Sequence, residues 1–323
     1  MVELLGPQSG PYLKKLVNAG RFDEALEFSS KVLAELRRII KLVHQEHALT
    51  PGPASEKTLA DLQHAFRKTR KVQIGILFPR AAKANDLTKA RALYQEMNEL
   101  TPEHPLAEAA VEERYFRGLA ATAMWPLPLG RKFRHVVLID QLRSVLNLPG
   151  EVAECGCYRG LSSWTICQTL NEEGGGFDGT GHHIFDSFAG LSAPVPEDGP
   201  HEGDALDKRL DEMMLPGAFA CTIENVQRHL AAFPGIAYHP GWLPASLSDQ
   251  PERTYRFIHL DVDLYDPTAG SLAYFYPRLV SGGVILTDDY GWPGARRAFD
   301  EFCAGNSIAF TTFPTDQAML RKP

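Results

Sequence analysis

The sequence lacks several features that would place it in other classes of protein. No apolar run approaches the roughly 20 residues that a membrane-spanning helix needs. The N-terminal stretch has no pattern of charge, apolar core and small-residue cleavage site, so we expect no secretory signal peptide. The five cysteines form no Cys-x-x-Cys pair, which argues against a zinc knuckle. We therefore expect reduced thiols in a cytoplasmic protein that makes no membrane contact.

Basic residues are scarce in the second half of the chain. Residues 151–323 carry 11 Lys and Arg against 24 Asp and Glu, a balance of −13, whereas residues 1–150 carry 22 against 16, a balance of +6. Because phosphate binding needs clustered Lys and Arg, we expect no nucleic-acid partner for the acidic half. The length of 323 residues, with 44% hydrophobic and 23% charged residues, predicts a soluble globular chain of two domains.

The first part of the chain has the apolar periodicity of helices. Apolar residues recur at helical spacing from Tyr12 to Glu46 and again from Leu59 to about Thr122. Two short stretches in this part resemble tetratricopeptide turns. The composition shifts near residues 125–130, so we predict an all-α domain over 1–125, with a tetratricopeptide-like arrangement as one interpretation, and a second domain over 126–323. We also expect a homo-oligomer, with the helical domain as a candidate interface.

A strand, a glycine turn and a helix follow at the start of the second domain. The core pattern is Glu154-x-Gly156-x-x-x-Gly160, with a short apolar strand before it and a helical pattern after it. The Gly-x-Gly-x-x-Gly fingerprint of nicotinamide enzymes is absent, which disfavours a Rossmann oxidoreductase. An acid two residues before the first glycine instead resembles motif I of class I S-adenosylmethionine-dependent methyltransferases.

The next strand also ends in an acid. The apolar stretch from His183 leads to Asp186, where an acid commonly accepts hydrogen bonds from the ribose hydroxyls of an adenosine-type ligand. Farther along, Trp242 is a candidate either to stack on the adenine or to close the core. The stretch 193–215, rich in Pro, Gly and acids, is a candidate active-site lid or a mobile surface loop.

Two further strands, separated by a helix, lie between Arg256 and Tyr290. Phe257–Leu260 and Val284–Thr287 are short apolar runs, and the apolar spacing between them predicts a helix that Ser281–Gly283 ends. The spacing is typical of a βαβ unit with parallel strands. We interpret His259, inside the first of these strands, as a core histidine with its hydrogen bonds satisfied.

Carboxylates follow both strands at their carboxyl ends. Asp261 and Asp263 are two residues apart, so they share one side if the strand continues, and Asp288 and Asp289 follow the second strand. Four crowded carboxylates would repel one another and their pKa values would rise unless a cation neutralised them. Hard divalent ions such as Mg²⁺ prefer oxygen ligands of this kind, so the sequence predicts a metal site here.

The ordered set of motifs is similar to one family. The set comprises residues 152–160, 185–191, Gly241-Trp242, 261–265, Tyr276-Pro277, Gly282-Gly283 and 288–291. Together they resemble the macrocin and mycinamicin sugar O-methyltransferases and the related aminocoumarin sugar enzymes, over roughly residues 130–323. The resemblance implies a Rossmann-like class I methyltransferase sheet with helices on both faces. It also implies Mg²⁺-dependent transfer of a methyl group from S-adenosylmethionine to a hydroxyl, in particular of a sugar on a natural product or glycan.

The resemblance also implies roles for particular residues. Glu154, Gly156 and Gly160 map to the methionine end of the cofactor site, and Asp186 with Ser187 maps to the ribose site. Trp242 joins this cofactor set. The metal ligands are expected to be Asp261, Asp288 and Asp289, and the base that accepts the hydroxyl proton is Asp263 or Asp261.

Two other functions stay open at the level of the sequence. The same metal chemistry would serve a catechol or phenol O-methyltransferase. A helical adaptor with a degenerate, non-catalytic methyltransferase fold would also carry many of these motifs, although the intact set of acids argues against it.

Overall fold

The structure is a computed structural model that describes residues 9–49, 52–103, 106–124, 128–199, 215–248 and 250–323. The chain divides into two compact units. One comprises Met1–Leu106 and Ala123–Leu129, and the other comprises Ala107–Thr122 and Gly130–Pro323. The predicted domain boundary, between residues 125 and 126, lies outside the described residues.

The described elements of the first unit are helices. They are α1 (Ser9–Asn18), α2 (Phe22–Leu49), α3 (Pro53–Lys83) and α4 (Leu87–Leu100). Leu13, Leu16, Ala25 and Ile76 form a buried apolar cluster within this unit, as the helical periodicity requires. The tetratricopeptide character and the separate all-α domain stay predictions.

The second unit contains a seven-stranded, mostly parallel sheet, which confirms the predicted mixed α/β class. Its strands are β1 (Glu151–Cys155), β2 (His182–Asp186), β3 (Ala237–Pro240), β4 (Tyr255–Leu260), β5 (Leu279–Thr287), β6 (Phe310–Thr312) and β7 (Ala318–Arg321). The strand order is β3-β2-β1-β4-β5-β7-β6, and only the pairs involving β7 are antiparallel. The chain therefore changes direction across the sheet between β1 and β4, and ligands bind at the carboxyl ends of strands at such a point.

Helices pack on both faces of this sheet. The helix α5 (Ala109–Ala121) contacts the two helices that follow it. The helices on the sheet are α6 (Lys132–Arg143), α7 (Leu161–Gly174), α8 (Ile223–His229), α9 (Tyr265–Arg278) and α10 (Pro293–Gly305). One apolar cluster joins α9 and α10 to the sheet through Phe275 and Phe299, and another joins α6 and α7 through Leu142 and Ile166. No helix among the described residues combines the length and apolarity that crossing a bilayer requires.

Two details of the second unit bear on the sequence predictions. The predicted end of the central helix at Ser281–Gly283 is wrong, because α9 ends at Arg278 and these residues belong to β5. They are held in the sheet because the Gly282 N–H donates to the Lys322 carbonyl over 2.9 Å and the Lys322 N–H donates to Gly283 over 3.0 Å. The last two strands, β6 and β7, pair with each other as an antiparallel hairpin. Most of the candidate lid, residues 200–214, lies outside the described residues.

Candidate active site

The turn after β1 is built on close backbone approach. Gly156 has a φ of +78°, and a Cβ placed there would lie 1.9 Å from the carbonyl oxygen of Asp261. Its own N–H donates to the Phe185 carbonyl over 2.8 Å. A side chain at this position would therefore push apart the ends of β1, β2 and β4, which explains the glycine independently of any ligand.

Gly160 closes the same turn and starts α7. It has a φ of +88°, and its N–H donates to the Cys157 carbonyl over 2.7 Å. Residues 156–160 thus lead directly into the N-terminus of a helix at the carboxyl edge of the sheet. We call them the donor turn, because the motif is expected to bind the methyl donor. The predicted strand–turn–helix arrangement of the motif is present.

The acid at the end of β2 supports the donor turn. Asp186 Oδ2 accepts from the Cys157 N–H over 2.7 Å, and Oδ1 accepts from the Phe188 N–H over 2.7 Å. The neighbouring Ser187 hydroxyl donates to the Gly190 carbonyl over 2.7 Å. Trp242 Nε1 donates to the same carbonyl over 3.4 Å, and the residue as a whole is 52% exposed. Asp186, Ser187 and Trp242 are therefore brought together around one loop.

Glu154, expected at the methionine end of the cofactor, is fully buried instead of lining an open surface. Its Oε1 lies 2.9 Å from Nδ1 of His259, and its Oε2 accepts from the Ser163 hydroxyl. Burial alone would raise the pKa of Glu154, but the His259 hydrogen bond and charge outweigh it, so the pKa is lowered. Glu154 is thus an ionised carboxylate held inside the sheet.

Three aspartates form a compact group that we call the acid cluster. Asp261, Asp263 and Asp289 each offer one carboxylate oxygen, and these oxygens lie within 4.8 Å of one another. Asp289 Oδ2 accepts from the Val262 N–H over 2.7 Å and the Asp263 N–H over 2.8 Å. Because β4 ends at Leu260 and Asp263 has a left-handed φ of +61°, a turn rather than strand alternation brings Asp261 and Asp263 together.

Burial and mutual repulsion dominate the electrostatics of the acid cluster. Burial, and then the charge of Asp261, raise the pKa of Asp263 to about 7. The pKa values of Asp261 and Asp289 are also raised, first by burial and then by neighbouring carboxylates. Such a set of oxygens favours either protons or a cation between them.

Asp288, one of the three predicted metal ligands, is directed elsewhere. Its Oδ1 lies 3.1 Å from Nε2 of His259 and also accepts from the Gln317 amide. Burial would raise the pKa of Asp288, but the charge and hydrogen bond of His259 hold it well below its usual range. The structure therefore brings Asp261 and Asp289 together with Asp263, and it keeps Asp288 in a separate ion pair. His259 is buried and bonded at both nitrogens, as predicted for a core histidine.

Two arginines beside the acids were missed from the sequence. Desolvation alone would lower the pKa of Arg131, but Asp261 and Asp289 outweigh it and the pKa is raised. The Arg134 guanidinium donates to the backbone carbonyl of Asp288 over 2.8 Å. The signal available in the sequence was two arginines three apart at the start of the helix before β1, a pattern as common on solvated helix faces.

The residues present fit a hard divalent cation and an adenosine-type donor. The acid cluster supplies three carboxylate oxygens at mutual distances suited to a shared ion, and oxygen ligands are what Mg²⁺ prefers. The donor turn, the Asp186–Ser187 pair and the half-exposed Trp242 ring supply backbone, polar and aromatic surfaces at the neighbouring strand ends. Gly156 joins the two regions through its contact with Asp261.

Comparison with known proteins identifies the family. The model of the macrocin-O-methyltransferase (TylF) family matches residues 88–319. The chain belongs to this family. The match confirms the resemblance seen in the motifs, and it extends upstream of the region where those motifs lie.

Named relatives of this macrocin-O-methyltransferase family member act on natural products. The 8-demethyl-8-(2,3-dimethoxy-alpha-L-rhamnosyl)-tetracenomycin-C 4'-O-methyltransferase of Streptomyces olivaceus is 29% identical over 162 residues, which are 48% of this chain and 59% of that protein. The mycinamicin III 3''-O-methyltransferase of Micromonospora griseorubida is 27% identical over 159 residues, 48% of this chain and 61% of that protein. The chain therefore spans about three fifths of the length of the curated relatives it matches.

A solved structure shares the fold of this family member. The O-methyltransferase NovP superposes with a TM-score of 0.50 at 24% sequence identity, covering 69% of this chain and 93% of NovP. At this identity the likeness establishes the class I methyltransferase fold alone.

Proposed function

We propose that this protein transfers a methyl group from S-adenosylmethionine to a hydroxyl of a sugar on a natural product or glycan, with a divalent cation such as Mg²⁺. The observation that carries the proposal is the meeting of the acid cluster with the donor turn, where Gly156 approaches the Asp261 carbonyl. The family match and the rhamnosyl group in the name of the Streptomyces olivaceus relative support the acceptor class.

The acid cluster provides the acceptor side of the reaction. Asp261, Asp263 and Asp289 would hold the cation, with Asp289 fixed by the two backbone N–H groups it accepts from. A bound divalent ion lowers the pKa of a coordinated hydroxyl, which makes it a better nucleophile near neutral pH. Asp263, whose carboxylate lies beside those of Asp261 and Asp289, would accept the hydroxyl proton, and Asp261 is the alternative base.

The donor side depends on positioning rather than on proton transfer. The donor turn with Asp186 and Ser187 would hold the methionine and ribose portions, and Trp242 offers its exposed ring to the adenine. Since the positive charge of a sulfonium disappears during methyl transfer, the protein need only align the two reactants and exclude water.

The proposal is tested with the full chain, S-adenosylmethionine carrying a labelled methyl group, and a panel of glycosylated natural products and catechols. We expect transfer to a sugar hydroxyl that excess chelator abolishes and Mg²⁺ restores. Asp289→Asn should lower kcat by about 100-fold or more, because a charged ligand is lost, while S-adenosylhomocysteine affinity changes less than about twofold. Asp23→Asn, whose side chain is 90% exposed in the first unit, is the matched control.

Each other outcome selects a different function. Full turnover in excess chelator would remove the metal from the mechanism. Methylation of catechols alone would favour the phenol enzyme, and absence of S-adenosylhomocysteine binding would favour the non-catalytic adaptor. Self-association through the N-terminal helices and cytoplasmic location stay predictions.

A further inference from the structure

A buried histidine connects the donor side of the site to the acid side. Glu154 lies on β1 and is paired in register with His259 on the neighbouring strand β4. Asp288 directly follows β5, the strand on the other side of β4. His259 Nδ1 lies 2.9 Å from Glu154 and Nε2 lies 3.1 Å from Asp288. Both carboxylates accept, so both ring nitrogens donate and the ring carries two protons.

In this Glu154–His259–Asp288 bridge, both oxygens of Glu154 and Oδ1 of Asp288 accept hydrogen bonds from groups of the protein. Glu154 is fully buried and its second oxygen accepts from Ser163, while Asp288 also accepts from Gln317. Glu154 lies two residues before Gly156 of the donor turn, and Asp288 immediately precedes Asp289 of the acid cluster. Displacing either carboxylate would therefore move one of the two binding regions.

Burying a bridge of three charged groups in a core carries a large desolvation cost. Burying charges is compensated only when partners and hydrogen bonds are well placed, and apolar residues of similar volume often stabilise as well or better. Stability alone therefore does not explain why Glu, His and Asp occupy these positions. Their effect on the positions of the donor turn and the acid cluster explains them better.

We propose that His259 is a positioning residue that fixes the donor turn relative to the acid cluster. Its Nδ1–H bond acts on donor binding through Glu154, and its Nε2–H bond acts on the acceptor step through Asp288. This inference rests on the proposed function, and it assigns a role to each of the two nitrogens.

Two substitutions separate the two bonds. The amide nitrogen of Asn lies near the position of Nδ1, so His259→Asn retains the bond to Glu154 and loses the one to Asp288. The longer Gln places its amide near Nε2, so His259→Gln retains the bond to Asp288 and loses the one to Glu154. Donor affinity is measured by calorimetry with S-adenosylhomocysteine, and kcat and the acceptor KM are measured separately.

We expect opposite signatures from the two variants. His259→Gln should weaken S-adenosylhomocysteine binding by about tenfold or more, as expected for a lost bond to a charged group, with a smaller loss of kcat. His259→Asn should keep donor affinity within about threefold and lower kcat by about tenfold or more. Tyr255→Phe is the control, because Tyr255 is equally buried on the same strand and its hydroxyl has no hydrogen-bond partner among the described residues.

Equal losses of donor affinity and kcat in both variants, or no loss in either, would overturn the inference. Should either His259 variant fail to fold, Ser163→Ala tests the donor arm alone, and an unchanged S-adenosylhomocysteine affinity there would overturn it. An inactive wild-type chain that still shows the split in donor affinity would refute the proposed reaction and support the positioning role. A fully active wild-type chain whose His259 variants keep both donor affinity and kcat would support the proposed reaction and refute the positioning role.

Discussion

Asp263 combines an unusual backbone with an unusual acidity. Its left-handed φ of +61° is a conformation that Asp and Asn tolerate better than most residues, and its N–H is held by Asp289. Strain of this kind persists only where the surroundings impose it, and it is common at functional sites. The raised pKa, near 7, follows from burial beside Asp261. The constrained backbone fixes the Asp263 carboxylate at the position where we propose that it accepts the hydroxyl proton.

Asp263→Asn is therefore expected to lower turnover and to leave binding of the methyl donor intact. Asn keeps the size and tolerates the left-handed backbone, so S-adenosylhomocysteine affinity should stay within about twofold. Loss of a positioned base typically lowers kcat by about 100- to 10,000-fold, which steady-state kinetics would detect. If Asp263→Asn retains most of the wild-type kcat, Asp263 is not the base, and Asp261 is the remaining candidate.

The acids of the site also show which features could not be predicted from the sequence. Side chains alternate along a strand, so the adjacent Asp288 and Asp289 are expected to face different surroundings. The sequence gives no indication of which of the two joins the acid cluster. Asp263 was predicted on the right side for the wrong reason, since a turn after Leu260 places it there. Identities of the acids were thus predictable, whereas their partners depended on His259 and Gln317 from distant parts of the chain.

At the scale of elements, the donor turn depends on how closely three strand ends approach. A methyl group on Gly156 would meet the Asp261 carbonyl at 1.9 Å in a backbone with a φ of +78°. Gly175, at the end of α7, has a similar φ of +86° but nothing within 4 Å. The two glycines therefore separate the effect of crowding from that of the left-handed conformation.

Gly156→Ala should destabilise the protein by about 3 kcal/mol or more, since overpacking adds to the cost of a left-handed alanine. Gly175→Ala should cost only about 1–2 kcal/mol. Denaturant unfolding of both variants measures the difference. Equal destabilisation would mean that the strand ends separate easily, and the close approach would then not organise the site.

The order of the main strands and helices in the second unit was predictable because β1, β2, β4 and β5 are short, largely apolar runs that end at Gly or at an acid. Helix α5 was different. It has the same periodicity as the helices before it, but it belongs to the second unit, where Arg114 donates to Glu172 over 2.7 Å and to Thr169 over 3.0 Å. Contacts between residues more than 50 positions apart leave no local pattern, so the sequence alone could not assign this helix.

At the scale of the whole molecule, the acid cluster links stability to pH. A carboxyl whose folded pKa is raised stabilises the folded state below its unfolded pKa and loses that contribution as pH rises through the folded value. For Asp263 this window runs from about pH 4 to the folded pKa of about 7. A bound cation would replace the lost protons, so its effect should be greatest at the upper end of the window.

We expect the gain in Tm from excess Mg²⁺ to grow as pH rises from about 5 to about 8, reaching about 5–10 °C. Scanning calorimetry with Mg²⁺ or with chelator at each pH measures the gain. Burial lowers the pKa values of His135 and His182 to about 4, so their contribution to stability rises with pH, opposite to that of Asp263. This contribution is the same with and without Mg²⁺, so it does not enter the gain in Tm. A gain that is independent of pH, or retained in Asp289→Asn, would place the ion elsewhere.

The hydrogen bond from Gln317 to Asp288 has a consequence for synthesis of the chain. Gln317 is fully buried just before β7, a strand that reaches β5 from much later in the sequence. Domains fold as they emerge from the ribosome, but here the last support of a central ion pair arrives only after residue 317 has been translated. Until β7 joins β5, Asp288 lacks its Gln317 partner, so formation of the last strand also completes the pairing of the buried charges.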